Sequence, residues 1–303
     1  MRSAPEHLEK VLAAIQPSEP LEVDLLGSVG LVLAQDIVIQ DEGDELKVLS
    51  QGTEIAARHV ALLSAVGLAR VLVHPMPRVV VLTIGDDLTN PGTDDELTPD
   101  INGLALTSAA TAAGAMTFRV GPLVSDENTL RATLEDQLVR ADVILTACGM
   151  SADDYDLLTQ VLRSMGQMEF VRVSMQPGGA QGFGAIGPDA TPVFVLPGNP
   201  VGALLSFDVF VRPFIRRLMG HQGLHHRVVE AVLDEPVSSN ADVTHYIRAQ
   251  VSTHDSGMRV RSLENDEDHP LQGLGTADAL IIVPSGVDFV PAGQTVAVML
   301  LDT

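Results

Sequence analysis

Arg78-Val79-Val80-Val81-Leu82-Thr83-Ile84-Gly85-Asp86-Asp87 decides the fold class of this chain. From Val79 to Ile84 the run is apolar apart from one threonine, and it stops at a glycine and two aspartates. A strand with one wet face alternates polar and apolar residues, so a continuous β-branched run reads as a strand covered on both faces. Downstream, helical patterns alternate with further short apolar runs. Leu104–Ala113 is small and apolar, Asn128–Arg140 is amphipathic, and Tyr155–Met165 puts Leu157, Leu158, Val161, Leu162 and Met165 on one helical face. Val201–Leu218 reads as a long closing helix, and Met116–Val120, Val143–Thr146, Phe170–Ser174 and Val193–Leu196 read as strands. Strands alternating with helices predict a three-layer α/β domain with a mostly parallel sheet over 77–220.

Working outward, 1–76 reads as an N-terminal α/β arm. It opens with a helix carrying Leu8, Val11, Leu12 and Ile15, closed by Pro17 and Pro20, and it holds a charged turn at Asp41-Glu42-Gly43-Asp44-Glu45. The segment 221–303 has short β-rich runs separated by turn formers such as Ser256-Gly257 and Ala292-Gly293, which predicts a small β-barrel or sandwich.

Composition sets limits on function. The 303 residues carry 18 Lys+Arg against 40 Asp+Glu, a formal charge of −22. Phosphate backbones are held by clustered cations, and Lys10 and Lys47 are the only lysines, so no nucleic-acid partner is expected. The single cysteine, Cys148, supports neither an internal disulfide nor a thiolate zinc site. Met1–Lys10 lacks the apolar core of a secretion signal and no apolar run approaches a membrane span, so a cytoplasmic protein without membrane insertion is expected.

In an open parallel sheet, ligands bind beyond the carboxyl ends of the strands. That rule selects the loops Gly85-Asp86-Asp87-Leu88, Ser125-Asp126-Glu127, Cys148-Gly149-Met150-Ser151 with Asp153, Asp154 and Asp156, Gln176-Pro177-Gly178-Gly179, and Leu196-Pro197-Gly198-Asn199-Pro200. Acidic side chains there suit Mg²⁺ or a water poised against a phosphate. They equally suit N-caps: Asp126 precedes one helix, and Asp153 or Asp154 another. Cys148 reads as a small filler residue, the acidic run Glu264–Asp268 as a surface turn, and His221 with His225-His226 as a solvated linker.

Taken in order, these motifs resemble those of the MoeA/gephyrin family: Gly85-Asp86-Asp87-Leu88, Asp100-Ile101-Asn102, Cys148 through Asp156, Met175-Gln176-Pro177-Gly178 with Gln181-Gly182-Phe183-Gly184, and Leu196 through Pro200. The resemblance extends from Gly43-Asp44-Glu45-Leu46 to the tail beyond Gly220. It implies a MogA-like molybdopterin-binding domain and a C-terminal β-barrel. The implied reaction is insertion of molybdate into adenylylated molybdopterin with release of AMP. Residue by residue, it implies that Asp86, Asp126 and Asp156 are the catalytic acids and hold Mg²⁺. Gly85, Asp100, Asn102, Gly149, Ser151, Gln176, Pro177, Gly178, Pro197, Gly198, Asn199 and Pro200 would contact the substrate. A homodimer is implied as well. The family alternatives are a gephyrin-like scaffold with a peptide partner on the C-terminal domain, or a molybdopterin carrier.

Three departures accompany the resemblance. Relatives insert an extra domain after the segment like Ala34-Gln35-Asp36-Ile37-Val38, whereas this chain passes from Ile39 straight into the charged turn. In the family that domain closes the partner subunit's site, so the pocket here is expected to be more open to water. Gln176 and Gly179 stand where the family often has lysines facing the anionic substrate. Cys148 replaces a glycine before Gly149.

Overall fold

Every alternate residue of the Arg78–Ile84 strand feeds a different core, which is how an unbroken apolar run is satisfied. Val79 and Val81 pack with Leu106, Phe194 and Phe214 on one face, while Val80, Leu82 and Ile84 pack with Leu130, Leu134 and Leu158 on the other. The computed structural model describes residues 1–41, 44–94, 96–149, 151–255, 257–264 and 272–301. Glu42 and Gly43 of the charged turn, Met150, Ser256 and residues 265–268 of the acidic run lie outside the described residues.

We number the elements of the central domain β1 (Arg78–Ile84), α1 (Ile101–Ala112), β2 (Met116–Leu123), α2 (Glu127–Leu138), β3 (Val143–Cys148), α3 (Ala152–Met165), β4 (Gly166–Arg172), β5 (Ala180–Ile186), β6 (Thr191–Leu196) and α4 (Pro200–Ser206). They form one six-stranded sheet in the order β4-β5-β6-β3-β1-β2. β6, β3, β1 and β2 run parallel, with Val143 opposite Val79 and Cys148 opposite Ile84. The other pairings, β4 with β5 and β5 with β6, are antiparallel. Parallel neighbours need a crossover helix between them, and none separates β4, β5 and β6, so the chain doubles back instead. In the sequence β5 shows only as the motif Gln181–Gly184, because its glycines mask the strand pattern.

The chain runs from β1 outward to β2, then returns past β1 to start β3 on its other side. The reversal leaves a crevice at the carboxyl ends of β1 and β3, the place where such sheets take ligands. The expected single helix Val201–Leu218 is instead α4, a π-helical turn at Phe207–Val211, and α5 (Arg212–Leu218).

Two smaller bodies flank the sheet. In the arm, Leu21–Asp24, Arg70–His74 and Val32–Leu33 form a three-stranded sheet over Leu33, Ile55, Leu63 and Val73. The strands Ile37–Asp41 and Asp44–Leu49 make a separate two-stranded hairpin where relatives are expected to carry their extra domain. The N-terminal helix, Ala4–Ala13, leaves the arm and packs Val11, with Ile15 just beyond it, into the core of the central domain beside Phe210 and Phe214. The C-terminal segment closes into a barrel of β7 (Val228–Leu233), β8 (Thr244–His254), β9 (Gly257–Ser262), β10 (Ala279–Val283) and β11 (Thr295–Leu300) in ring order β8-β9-β7-β11-β10-β8. Its core is Leu233, Ile247, Ala249, Val260, Ile281 and Val298. Closure leaves none of these strands as an edge. Among the described residues, no helix is long and apolar enough to cross a membrane.

Candidate functional site

Two adjoining cavities open at the crevice between β1 and β3. The first, about 310 Å³, is lined by Asp87, Leu88, Thr98, Pro99, Asp100, Ile101, Asn102, Cys148, Gly149, Gly198, Asn199 and Pro200. The second, about 620 Å³, is lined by Asp86, Asp87, Ser125, Ser151, Asp153, Asp154 and Leu157. Asp87 belongs to both walls.

The first cavity is held by backbone turns and a buried ion pair. Asp100 caps α1 by accepting from the Gly103 N–H at 2.8 Å, and it also accepts from Thr83 Oγ1 at 2.7 Å and Arg119 Nη2 at 2.6 Å. Its side chain is fully buried, and these three donors satisfy its oxygens there. A side chain at position 103 would collide with that pair, which is why glycine stands there. Asn102, 8% exposed, donates from Nδ2 to the Gly198 carbonyl at 2.7 Å. Gly198 itself lies so close to the β3 loop that a Cβ would sit 2.5 Å from the Gly149 carbonyl oxygen. Asn199 caps α4 by accepting from the Val201 and Gly202 N–H groups, and Pro200 follows at the first helical position.

The second cavity is acidic. Asp86 Oδ1 accepts from the Ser125 backbone N–H at 2.8 Å, and the Ser125 hydroxyl donates a short hydrogen bond to Asp154. One serine therefore ties together carboxylates from the β1 loop and the first turn of α3. The helix dipole favours Asp153 and Asp154 at that N-terminus. Burial, and next to it the Asp154 charge, push the Cys148 thiol up to about 12, so it remains a protonated wall residue.

The structure brings some of the expected residues together and removes others. Asp86, Gly149, Ser151, Asp100, Asn102, Gly198, Asn199 and Pro200 line the two cavities, and Gly85 and Pro197 flank them in the chain. Asp126 is turned to its own helix: it accepts from the backbone N–H and the hydroxyl of Thr129, each at 2.8 Å. The Thr129 N–H holds its carboxyl below the usual carboxylate range. Asp156 is exposed on α3 and lines neither cavity. The residue that α3 turns inward is Asp154. Helical phase carried that signal, since Asp154 stands four, seven, eight and eleven residues before Leu158, Val161, Leu162 and Met165, on the buried stripe. Asp156 is out of phase with it.

Gln176, Pro177 and Gly178 also line neither cavity. Gln176 sits in a short strand paired with His245 of the barrel and accepts from Asn240 Nδ2 at 3.0 Å. Pro177 borders a separate cleft between α4 and the barrel, with Asp208, Tyr246 and Arg248. Gly178 packs onto α4 at Gly202. The Mg²⁺ set Asp86–Asp126–Asp156 is thus not assembled. Among the described residues, no group of three or more His, Cys, Asp or Glu is placed to hold a metal ion.

Comparison with known proteins fits this geometry. The family described as "Probable molybdopterin binding domain" matches residues 80–217, and "MoeA C-terminal region (domain IV)" matches 230–301. Molybdopterin molybdenumtransferase 1 of Mycobacterium tuberculosis is 37% identical over 276 residues, covering 87% of this chain and 64% of that protein. The Staphylococcus epidermidis molybdopterin molybdenumtransferase is 27% identical over 274 residues, with 86% and 64% covered. The chain therefore spans less than two thirds of the length of these curated relatives. A crystal structure of a molybdopterin biosynthesis MoeA protein from Pyrococcus horikoshii superposes with a TM-score of 0.82 at 20% identity over 99% of each chain, which shows the shared fold. Ordered motifs, two adjoining domain matches and a shared architecture lead to one assignment: the chain belongs to the MoeA family.

Proposed function

We propose that this protein works in molybdenum cofactor biosynthesis, inserting molybdate into adenylylated molybdopterin with release of AMP. The observation that carries the reading is the pair of cavities at the sheet's reversal point, one nearly neutral and one acidic, sharing Asp87 as a wall. The smaller cavity takes the ring system of a molybdopterin-type ligand. The adenylyl ester then lies at Asp87, whose Oδ1 stands 3.1 Å from where a Cβ on Gly149 would be. Gly149 leaves room for phosphate oxygens there. A carboxylate at this point accepts a proton from the attacking water as the bond to AMP breaks. The Mg²⁺ implied by the family resemblance has no preformed protein site among the described residues. No feature of the described residues favours the scaffold or carrier alternative.

The same reading carries a homodimer, supported by family resemblance alone, and a cytoplasmic location, supported by the lack of a secretion-signal core in Met1–Lys10. It also divides the chain into an arm, a ligand-binding domain over 77–220 and a barrel over 221–303, supported by separate cores in the arm and barrel. The N-terminal helix is assigned to the central domain because it packs there.

The test incubates the protein with adenylylated molybdopterin and molybdate and follows AMP. Asp87→Asn should slow AMP release by about a hundredfold, the scale of a positioned base. Unchanged release in Asp87→Asn, or none from the wild type, would refute the proposal.

A further inference from the structure

The Asp87 carboxylate has no hydrogen-bond or ion-pair partner of its own among the described residues, so its place is set by its backbone. Asp87 lies where the chain leaves the sheet after β1, before it returns at Asp100 to start α1. In between, Leu88–Thr89 and Thr98–Pro99 pair as two short parallel strands. The Thr98 N–H donates to the Asp87 carbonyl at 2.8 Å, and the Asp100 N–H donates to the Thr89 carbonyl at 2.8 Å. Thr98 and Pro99 are exposed, and a ladder this short is not stable by itself.

Its anchor is Asp100, the next residue. The side chain of Asp100 is bolted to the sheet by Thr83 of β1 and Arg119 of β2. Arg119 makes the charge-assisted bond of the two, at 2.6 Å. Arg119 is itself tightly placed: it stands opposite Val81 in the β1 pairing, and its Nε is 2.8 Å from where a Cβ on Gly103 would sit. The contacts therefore run in one line, from Arg119 to Asp100, through the short ladder, to Asp87. We infer that Arg119 is a positioning residue for AMP release, holding the Asp87 carboxylate beside Gly149 without touching the substrate. This rests on the proposed function, in which Asp87 is the base.

The experiment follows two readouts on the full chain: AMP release from adenylylated molybdopterin with molybdate, and backbone hydrogen exchange over residues 86–102. Arg119→Ala should lower kcat by about tenfold to a hundredfold, the scale of a misplaced catalytic group, and change KM by less than about threefold. Arg119→Lys, which keeps the cation, should recover most of that loss. In an Asp87→Asn background Arg119→Ala should change kcat by less than about twofold, because the group it positions is gone; a merely structural residue would add its full loss. Exchange over 86–102 should quicken by about tenfold or more in Arg119→Ala and stay near the wild-type rate in Arg119→Lys. Urea midpoints verify folding, and if Arg119→Ala does not fold, Arg119→Gln, which loses only the charge, is read in its place. Unchanged exchange, losses that add in the double variant, or a wild-type kcat in Arg119→Ala overturns the role of Arg119 and leaves the proposed function standing. No AMP release from the wild type removes both.

Discussion

The central sheet and the C-terminal barrel are both built from Val- and Ile-rich strands, and among the described residues the two cavities with convergent polar groups open at the strand ends of the sheet. In the sheet, β1 sends Val79 and Val81 to one core and Val80, Leu82 and Ile84 to another, so both faces are covered. Only the ends remain for chemistry, and loops from β1, β3 and β6 converge at one of them. In the barrel, one set of side chains fills the interior and the ring closes on itself. The difference shows that an open sheet gathers its loops where the strand order reverses, whereas a closed ring has no such reversal point.

The comparison can be broken first at Asp100. If the cavity end depends on its buried pair, Asp100→Ala strands Arg119 and should cost about 3–5 kcal/mol, read from urea unfolding. A loss below about 1 kcal/mol would show that the pair is dispensable. Next comes the sheet's core. Leu82→Ala, at a fully buried position, should cost about 2–5 kcal/mol, whereas Ile281→Val in the barrel should cost about 0.5–1.5 kcal/mol. Separate unfolding transitions for the two variants would further show that the bodies melt independently. At the acidic cavity, Asp156→Ala should leave AMP release within about twofold of the wild type, because the residue is exposed and outside both walls. A loss comparable to that of Asp87→Asn would return Asp156 to the site.

The remaining prediction concerns pH at the junction of arm and sheet. Burial, then Arg2, hold His7 at about 4, and burial, then Arg216, hold His221 at about 4. In the unfolded chain both imidazoles return to about 6.5. Between those values the unfolded state takes up protons that the folded state does not. Stability is therefore complete above pH 6.5 and falls as pH drops toward 4, by at most roughly 1.4 kcal/mol per pH unit for each histidine. Urea midpoints at pH 7 and pH 5 measure the slope, and His7→Gln should reduce it. An unchanged slope would show that His7 is protonated in the folded protein.

Much of the fold was legible in the sequence because periodicity is a local property. The unbroken run at Val79–Ile84 demanded two covered faces, and the apolar stripe of Tyr155–Met165 demanded a helix against the sheet. Asp100, Asn102, Gly149, Gly198 and Asn199 came from motif order and do line the first cavity. The antiparallel turn through β5 was hidden by its glycines, and the packing of the N-terminal helix on the central core depends on contacts with Phe210 and Phe214, far along the chain.

The sequence by itself determined which segments are strands and which ends carry glycine and acid. Only the tertiary structure decided which acids meet. Asp126 was drawn to the free N–H groups of its own helix, Asp156 was turned to water by helical phase, and Asp154 was brought through Ser125 to Asp86. A carboxylate's partner is set by distance in space, and residues 86, 125 and 154 become neighbours only when the sheet places their loops at one end.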